Sequence, residues 1–417
     1  MSPKKMLEPR IPLREIAPTV VLILNSLTWF TLTSTLLSSS IDKLALPAGG
    51  TLALLGAYYA GIALSAFVGA YLFPRARENY LFVWMLFGTL MTVLPSTFQS
   101  NYSVIEVAIC LFLGISTGMG LPSALAYFAD TTTIENRGSY GGLIYITVGL
   151  AGFAVGIVLA IIAPSLAFST LALWRATGLV LFFVLAKQRG KLQPPTNVPS
   201  YRDILNRKDV ILYLIPWAMF SLVNFTESPI VAASLPSGNA FLNSPLLVGI
   251  VEVALAGIFA LAAGILSDSI GRKRIVITGF VILGIEYAIL GFFSWSEVSW
   301  YVYIICDGAT WGMFASVFFM TLWGDLATSS QKEKYYVIGG LPYLLAGFIP
   351  VVVKMLSNNL KNIQNVQATA FSLASFFLFV AVIPLMYAPE TLPEKRIKDI
   401  ELRGYLEQAK KTKEKYA

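Results

Sequence analysis

The stretch Gly264-Ile-Leu-Ser-Asp268-Ser-Ile-Gly271-Arg272-Lys273-Arg274 joins two long apolar runs, 244–267 and 275–294. A membrane-spanning helix needs ~20 consecutive apolar residues, and each run supplies that length. An acid closes the first run and three basic residues open the second. Basic residues gather on the cytoplasmic side of membrane proteins. The stretch therefore reads as a short cytoplasmic loop between two spanning helices.

The rest of the chain agrees with that reading. Of its 417 residues, 56% are apolar and 13% charged, with a mean hydropathy of +0.70. Soluble proteins carry about a quarter charged residues. This composition excludes a disordered chain, a disulfide-rich secreted module and an ordinary soluble enzyme. Histidine is absent, which removes His-based metal sites, Ser-His-Asp triads and His proton shuttles. Cys110 and Cys306 both lie in apolar runs and read as small hydrophobes. The net charge of +7 resides in loops, so it orients the chain in a membrane and implies no nucleic acid.

Outward from the quoted stretch, further apolar runs occupy 17–38, 47–73, 80–98, 103–129, 138–163 and 166–186, then 209–234, 299–325, 335–356 and 366–387. The first is too long for a signal-peptide core and no small-residue cleavage pattern follows it, so a retained helix is expected. Residues 187–208 contain Gln193-Pro-Pro-Thr-Asn-Val-Pro199 and break the pattern. The expected organisation is a cytoplasmic N-terminus (1–14), a six-helix half (15–186), a cytoplasmic linker (187–208), a second six-helix half (209–387) and a tail (388–417). The tail is expected to be a solvated helix or frayed end. With both termini cytoplasmic, all of the 30 basic residues except Lys43, Arg175, Lys354 and Lys361 fall on the cytoplasmic side.

The halves repeat. Run four carries Gly114-x3-Gly118, then Asp130, then Arg137-Gly138. Run ten carries Gly308-x3-Gly312, then Asp325, then Lys332. Acid and base are separated alike in both. Small residues four apart let helices approach closely, and an acid with a base in the next loop can lock helices together. The loop after run two, Gly69-Ala-Tyr-Leu-Phe73-Pro-Arg-Ala76-Arg77, matches the quoted stretch, but Phe73 stands for the acid and Ala76 for the second glycine. Parallel six-helix repeats enclosing a midplane cavity are a transporter architecture.

On these residues the chain resembles the major facilitator superfamily. The motif G-x-L-x-D-x-x-G-R-K is intact at 264–273. Trp174-Arg175, Arg137-Gly138, Pro389-Glu390-Thr391 and Asp399-Ile-Glu401 resemble elements of its sugar-porter and metabolite:proton symporter branches. The resemblance implies an all-α membrane protein of twelve transmembrane helices in two pseudo-symmetric halves. It also implies a gate made by Gly264, Asp268, Gly271 and Arg272, with Asp130 and Arg137, and Asp325 and Lys332, as weaker equivalents. Trp174 and Arg175 are expected at the outer interface, where Trp favours headgroup depth and Arg snorkels. The chain departs from the branch in having Asn25 and no acid in run one, no arginine in run four and no glutamine in run seven.

Charges inside apolar runs cost at least a few kcal/mol unless they face a cavity or a partner. Glu227, Glu252, Glu286 and Asp307 lie in runs seven to ten, Glu106 near the outer end of run four and Lys354 in run eleven. By the resemblance, helices one, four, seven and ten line the cavity. Asp307 and Glu227, with Glu252, are then the proton-coupling candidates. Asp307 could instead pair with Lys354, and Glu286 is expected at the periphery. Asn25, Trp29, Tyr127, Trp217, Asn224 and Trp311 are the candidates for contacting a small polar solute.

The expected function is secondary active transport of a small organic metabolite, a sugar or carboxylic acid, by alternating access coupled to protons. A multidrug or metabolite exporter of the same fold is the rival, and a transporter-like solute sensor ranks below it. No nucleotide loop or metal cluster is present in the sequence, so neither an enzyme nor a primary pump is expected, and no cofactor. The expected partners are the substrate, the proton and the lipid bilayer. The expected state is a monomer, multi-pass in the cell membrane.

Overall fold

A computed structural model describes residues 12–72, 77–98, 103–187, 198–236, 238–327, 331–357, 366–393 and 402. The first eleven residues, Phe73 to Ala76, residues 188–197 of the linker, Lys361, Asp399, Glu401 and most of the tail lie outside them.

Among the described residues, twelve helices are long and apolar enough to cross a membrane. They are α1 (Arg14–Lys43), α2 (Gly49–Tyr71), α3 (Arg77–Thr97), α4 (Val104–Thr131), α5 (Arg137–Ile161), α6 (Pro164–Ala186), α7 (Lys208–Ser234), α8 (Leu247–Ile270), α9 (Arg272–Phe293), α10 (Glu297–Leu326), α11 (Lys332–Val353) and α12 (Gln367–Tyr387). Each corresponds to one apolar run. Spanning structures must satisfy their backbone internally, and continuous helices do so. Three helices are interrupted within their length, besides the 3-10 turns that end α3 at Leu94–Thr97 and open α6 at Pro164–Leu166. α4 breaks at Gly120 before Pro122, α10 carries a π-helical segment at Ala315–Leu322, and α11 breaks at Gly347.

The helices form two compact units. The first comprises Met1–Thr132, Thr147–Pro199 and Ser329–Ser357, and the second Thr133–Ile146, Ser200–Thr328 and Asn358–Ala417. The first unit thus holds α11, and the second holds the start of α5. Within the first unit, α2 and α4 meet along the Gly114/Gly118 stripe. A Cβ at Gly114 would lie 2.0 Å from the Tyr58 carbonyl oxygen, and one at Gly118 2.0 Å from that of Ile62. The second unit repeats the contact between α8 and α10. A Cβ at Gly312 would lie 2.5 Å from the Ala256 carbonyl oxygen. Bare backbone at these positions lets the helices touch, as the small-residue spacing predicts.

The expected outer position of Arg175 is not what the fold gives. α6 starts at Pro164, so Arg175 lies about eleven residues in, roughly 16 Å along the axis and near its middle. It is fully buried, with the guanidinium between the indoles of Trp29 and Trp84 at 4.5 and 4.3 Å. Its Nη1 donates to Asn25 Oδ1 (3.0 Å) and Ser26 Oγ (2.7 Å). A delocalised, weakly hydrated guanidinium stacks on aromatic faces, and this replaces snorkelling. Arg175→Ala is expected to lower the stability of the purified protein by ~3 kcal/mol, from the cavity and the lost donor. Arg175→Lys is expected to lose part of it, because an ammonium cannot stack in the same way. An unchanged melting temperature for Arg175→Ala would remove the clamp.

Candidate functional site

The helix ends that carry the basic loops hold one ion-pair network in each unit. In the second unit, Gly271 adopts φ +103°, a left-handed conformation that suits glycine, and turns the chain from α8 into α9. This turn leaves the first amides of α9 open, and Glu390 caps them, accepting from Arg272 N (2.8 Å) and Lys273 N (3.1 Å). A side chain at 271 would strike that carboxylate, since a Cβ there would lie 2.3 Å from it.

Asp268 takes the N-terminus of α5. It accepts from Gly138 N (2.9 Å), Ser139 N (2.6 Å) and Ser139 Oγ (2.5 Å), and pairs with Arg272 at 2.6 Å. A carboxylate at a helix N-terminus meets both open amides and the positive end of the dipole. Arg272 also reaches Asp325 through Nε at 3.1 Å and donates to the Ile134 carbonyl. Asp325 in turn pairs with Arg137, and the side chains of Asp325 and Arg272 are 0% exposed.

The first unit holds the counterpart. Arg77 pairs with Asp130 and with Glu333, the latter through Nε at 2.7 Å and Nη2 at 2.5 Å. Lys332 also pairs with Asp130, and Gln331 donates to the Ala70 carbonyl at 2.6 Å. The pairing differs from the expected one. Each acid was expected to meet the base of its own loop, Asp130 with Arg137 and Asp325 with Lys332. The bases are exchanged instead: Lys332 serves Asp130 and Arg137 serves Asp325. The start of α11 packs in the first unit and that of α5 in the second, and each carries its base there.

Towards the other end of the second unit lie four carboxylates. Glu227 lies about seven residues before Ser234, Glu286 about seven before Phe293, Asp307 about ten after Glu297 and Glu252 about five after Leu247. All four lie roughly 8–15 Å from the helix ends opposite the basic loops. Glu227, Glu286 and Asp307 are buried and Glu252 is half-buried. Asp307 interacts electrostatically with Glu252, and Glu286 with both. α8 and α10 touch here, where a Cβ at Gly308 would lie 3.1 Å from the Glu252 carbonyl oxygen. Glu227 Oε2, Asp307 Oδ1 and both oxygens of Glu286 accept no hydrogen bond from a described residue. None of the four forms an ion pair with one. The side chain of Lys354, the alternative partner of Asp307, lies outside the described residues. Glu106, by contrast, caps α4 from within, accepting from Ser103 N at 2.9 Å. Among the described residues no group of three or more acids or cysteines has the geometry of a metal site.

The polar and aromatic candidates separate into two sets. Asn25 spends its side chain on α6, donating to the Trp174 carbonyl at 2.7 Å and accepting from Arg175. Trp29 lies under Arg175 and donates to Thr92 Oγ1 at 2.8 Å. Tyr127 is buried edge-on to Phe182. Trp217 is buried and stacked between Phe220 and Phe318. Asn224 and Trp311 keep exposed surface. Asn224 is one turn from Glu227 on α7, and Trp311 one turn from Asp307 on α10, so each shares a helix face with an acid. Arg77 and Glu333 join these sites beyond the sequence candidates. Register with Arg272 in the repeat would have found Arg77.

The family model described as "Major Facilitator Superfamily" matches residues 19–341. No curated protein matches the sequence significantly. Among solved structures, the human organic anion transporter MFSD10 (TETRAN) aligns with a TM-score of 0.62 and 16% identity, covering 91% of this chain and 100% of its own. The proton:xylose symporter XylE, bound to 6-bromo-6-deoxy-D-glucose, aligns with a TM-score of 0.64 and 14% identity, covering 90% of this chain and 96% of its own.

Proposed function

The chain belongs to the Major Facilitator Superfamily and is a multi-pass membrane protein, and from that premise we propose a proton-coupled secondary transporter of a small organic metabolite, a sugar or carboxylic acid. It works by alternating access in the cell membrane, with both termini cytoplasmic and the basic helix ends facing inward. The observation that carries this reading is the belt of Glu227, Glu252, Glu286 and Asp307, buried or half-buried at membrane depth and in no ion pair with a described residue. An intramembrane acid of this kind marks an ion or substrate pathway. Asp307 and Glu227 carry the proton, with Glu252 beside Asp307. Asn224 and Trp311, one turn away, meet the substrate. The charge change on the acids is thereby felt where the solute binds. The networks around Asp268, Asp325 and Asp130 hold the inner helix ends together and release when the site opens inward.

An exporter of cationic compounds is the second reading, favoured by the same acids, which no described cation neutralises. One experiment separates the two. The protein is reconstituted in liposomes with an internal pH dye, and sugars, carboxylates and cationic amines are added singly. A pH change with a sugar or carboxylate supports the first reading, and one with amines alone supports the second. Uptake of a labelled solute with no pH change would overturn proton coupling and reduce the acid belt to structure.

A further inference from the structure

The repeat aligns Gly69 with Gly264, Arg77 with Arg272, Asp130 with Asp325 and Arg137 with Lys332, and so places Glu333 at the register of Gly138. In the second unit, Arg272 pairs with two acids, Asp325 from α10 and Asp268 from the end of α8. Asp268 also takes the amide of Gly138. No side chain fits at 138, where a Cβ would lie 2.3 Å from Ser267 Oγ and 2.6 Å from the Gly264 carbonyl oxygen.

In the first copy the acid is missing from the sequence, where Phe73 stands at the register of Asp268. Arg77 nevertheless keeps two acids. Asp130 repeats Asp325, and the second is Glu333, 2% exposed and 2.7 Å from Arg77 Nε. We propose that Glu333 supplies to the first lock the carboxylate that Asp268 supplies to the second, so that this acid sits on the opposite helix, α11.

The exchange has a physical consequence. When α5 withdraws from α8, the Asp268–Arg272 pair stays intact, because both residues flank the Gly271 turn that joins α8 to α9. When α11 withdraws from α2 and α4, Arg77 loses Glu333 and Asp130 loses Lys332. The first lock therefore spans the parting surface with two ion pairs, Arg77–Glu333 and Lys332–Asp130, whereas the second spans it with one, Arg137–Asp325, and with the contact of Asp268 to helix amides. Removing one partner of a buried pair is costly because the other is left uncompensated.

The test uses the full-length protein in nanodiscs, with Cys110 and Cys306 replaced by alanine. Ala70→Cys reports on the first unit and Ala263→Cys on the second, both positions being buried. The readout is the labelling rate with a charged, membrane-impermeant maleimide. Glu333→Gln is expected to raise labelling at position 70 by about tenfold through a population shift, and to leave position 263 less affected. Phe73→Asp combined with Glu333→Gly, which restores the arrangement of the second copy, is expected to return the rate toward wild type. Labelling at 70 unchanged by Glu333→Gln, or a rise that the double variant fails to reverse, would overturn the proposal. If Glu333→Gln does not fold, a salt series on the otherwise wild-type reporters replaces it. Salt of about 1 M, where the Debye length is ~3 Å, is expected to speed labelling at 70 more than at 263. Equal effects would overturn the assignment. The readout is access and not transport, so its failure would leave the transporter reading standing.

Discussion

Asp307→Asn is expected to abolish substrate accumulation driven by a pH gradient while leaving exchange of labelled for unlabelled substrate intact. Accumulation requires a group whose charge differs between the outward-loaded and inward-released states. Asparagine keeps the shape and hydrogen-bonding reach of the side chain but cannot change charge. Exchange requires only that the loaded carrier cycle, and a neutral residue at 307 permits that. An ionised carboxylate at membrane depth that forms no ion pair costs at least ~2.5 kcal/mol, and Asp307 forms none with a described residue. On the proposed reading, ionisation at 307 accompanies the opening of the site to water, which is what coupling demands. Net uptake is expected to fall by about a hundredfold or more, the scale on which loss of a proton-transfer group acts. Asp307 and Glu252 interact, so Glu252→Gln should shift the pH dependence of uptake before it stops it. Proteoliposome uptake with an imposed gradient, read beside counterflow, decides the point. Gradient-driven uptake at the wild-type rate in Asp307→Asn would reject the role.

Helix number and placement were legible because a bilayer forces long apolar runs, and the ends of those runs are marked by charge. The motif at 264–273 was equally legible, since Asp268, Gly271 and Arg272 act within one turn of their own chain. The Gly114/Gly118 and Gly308/Gly312 stripes could be read as contact surfaces before their partners were known. Partner choice between distant segments could not. Asp130 lies nearer to Arg137 in sequence, yet it meets Lys332, because the placement of α5 and α11 decides which base arrives. Arg175 gave no sign of its depth, since a short Trp-Arg pair reads alike at an interface and in a core. The aromatic candidates show the same limit. Trp29, Trp217 and Asn224 look equivalent in sequence, but Trp29 and Trp217 are buried in packing and Asn224 keeps exposed surface. The π-helical segment at Ala315–Leu322 left no pattern, because it changes hydrogen bonding without changing which residues are apolar. It lies between Asp307 with Trp311 and Asp325, on a helix that carries members of both sites, and π segments recur at functional positions.

Asp325→Asn is expected to produce the largest loss of stability of any single change at the basic helix ends. The side chain is fully buried and holds two guanidiniums, those of Arg137 and Arg272. Removing one member of a buried ion pair costs about 3–5 kcal/mol, because the remaining charge is left in a low dielectric. Asparagine can accept a hydrogen bond but cancels neither charge. Arg272 retains Asp268, so the burden falls on Arg137, which loses its ion pair with Asp325. This asymmetry gives a prediction of sign as well as size. Adding Arg137→Met to Asp325→Asn removes the buried charge that has lost its Asp325 partner and fills the space with an apolar side chain of similar length, so the double variant should be more stable than the single one. Purely local misfolding would make the effects of the two substitutions add. Arg137→Met alone should cost less than Asp325→Asn, since Asp325 keeps Arg272 and the Thr391 hydroxyl at 3.4 Å. Melting temperatures of the four proteins in one detergent complete the cycle, and a double variant less stable than Asp325→Asn would show that charge compensation is not what holds these helix ends together.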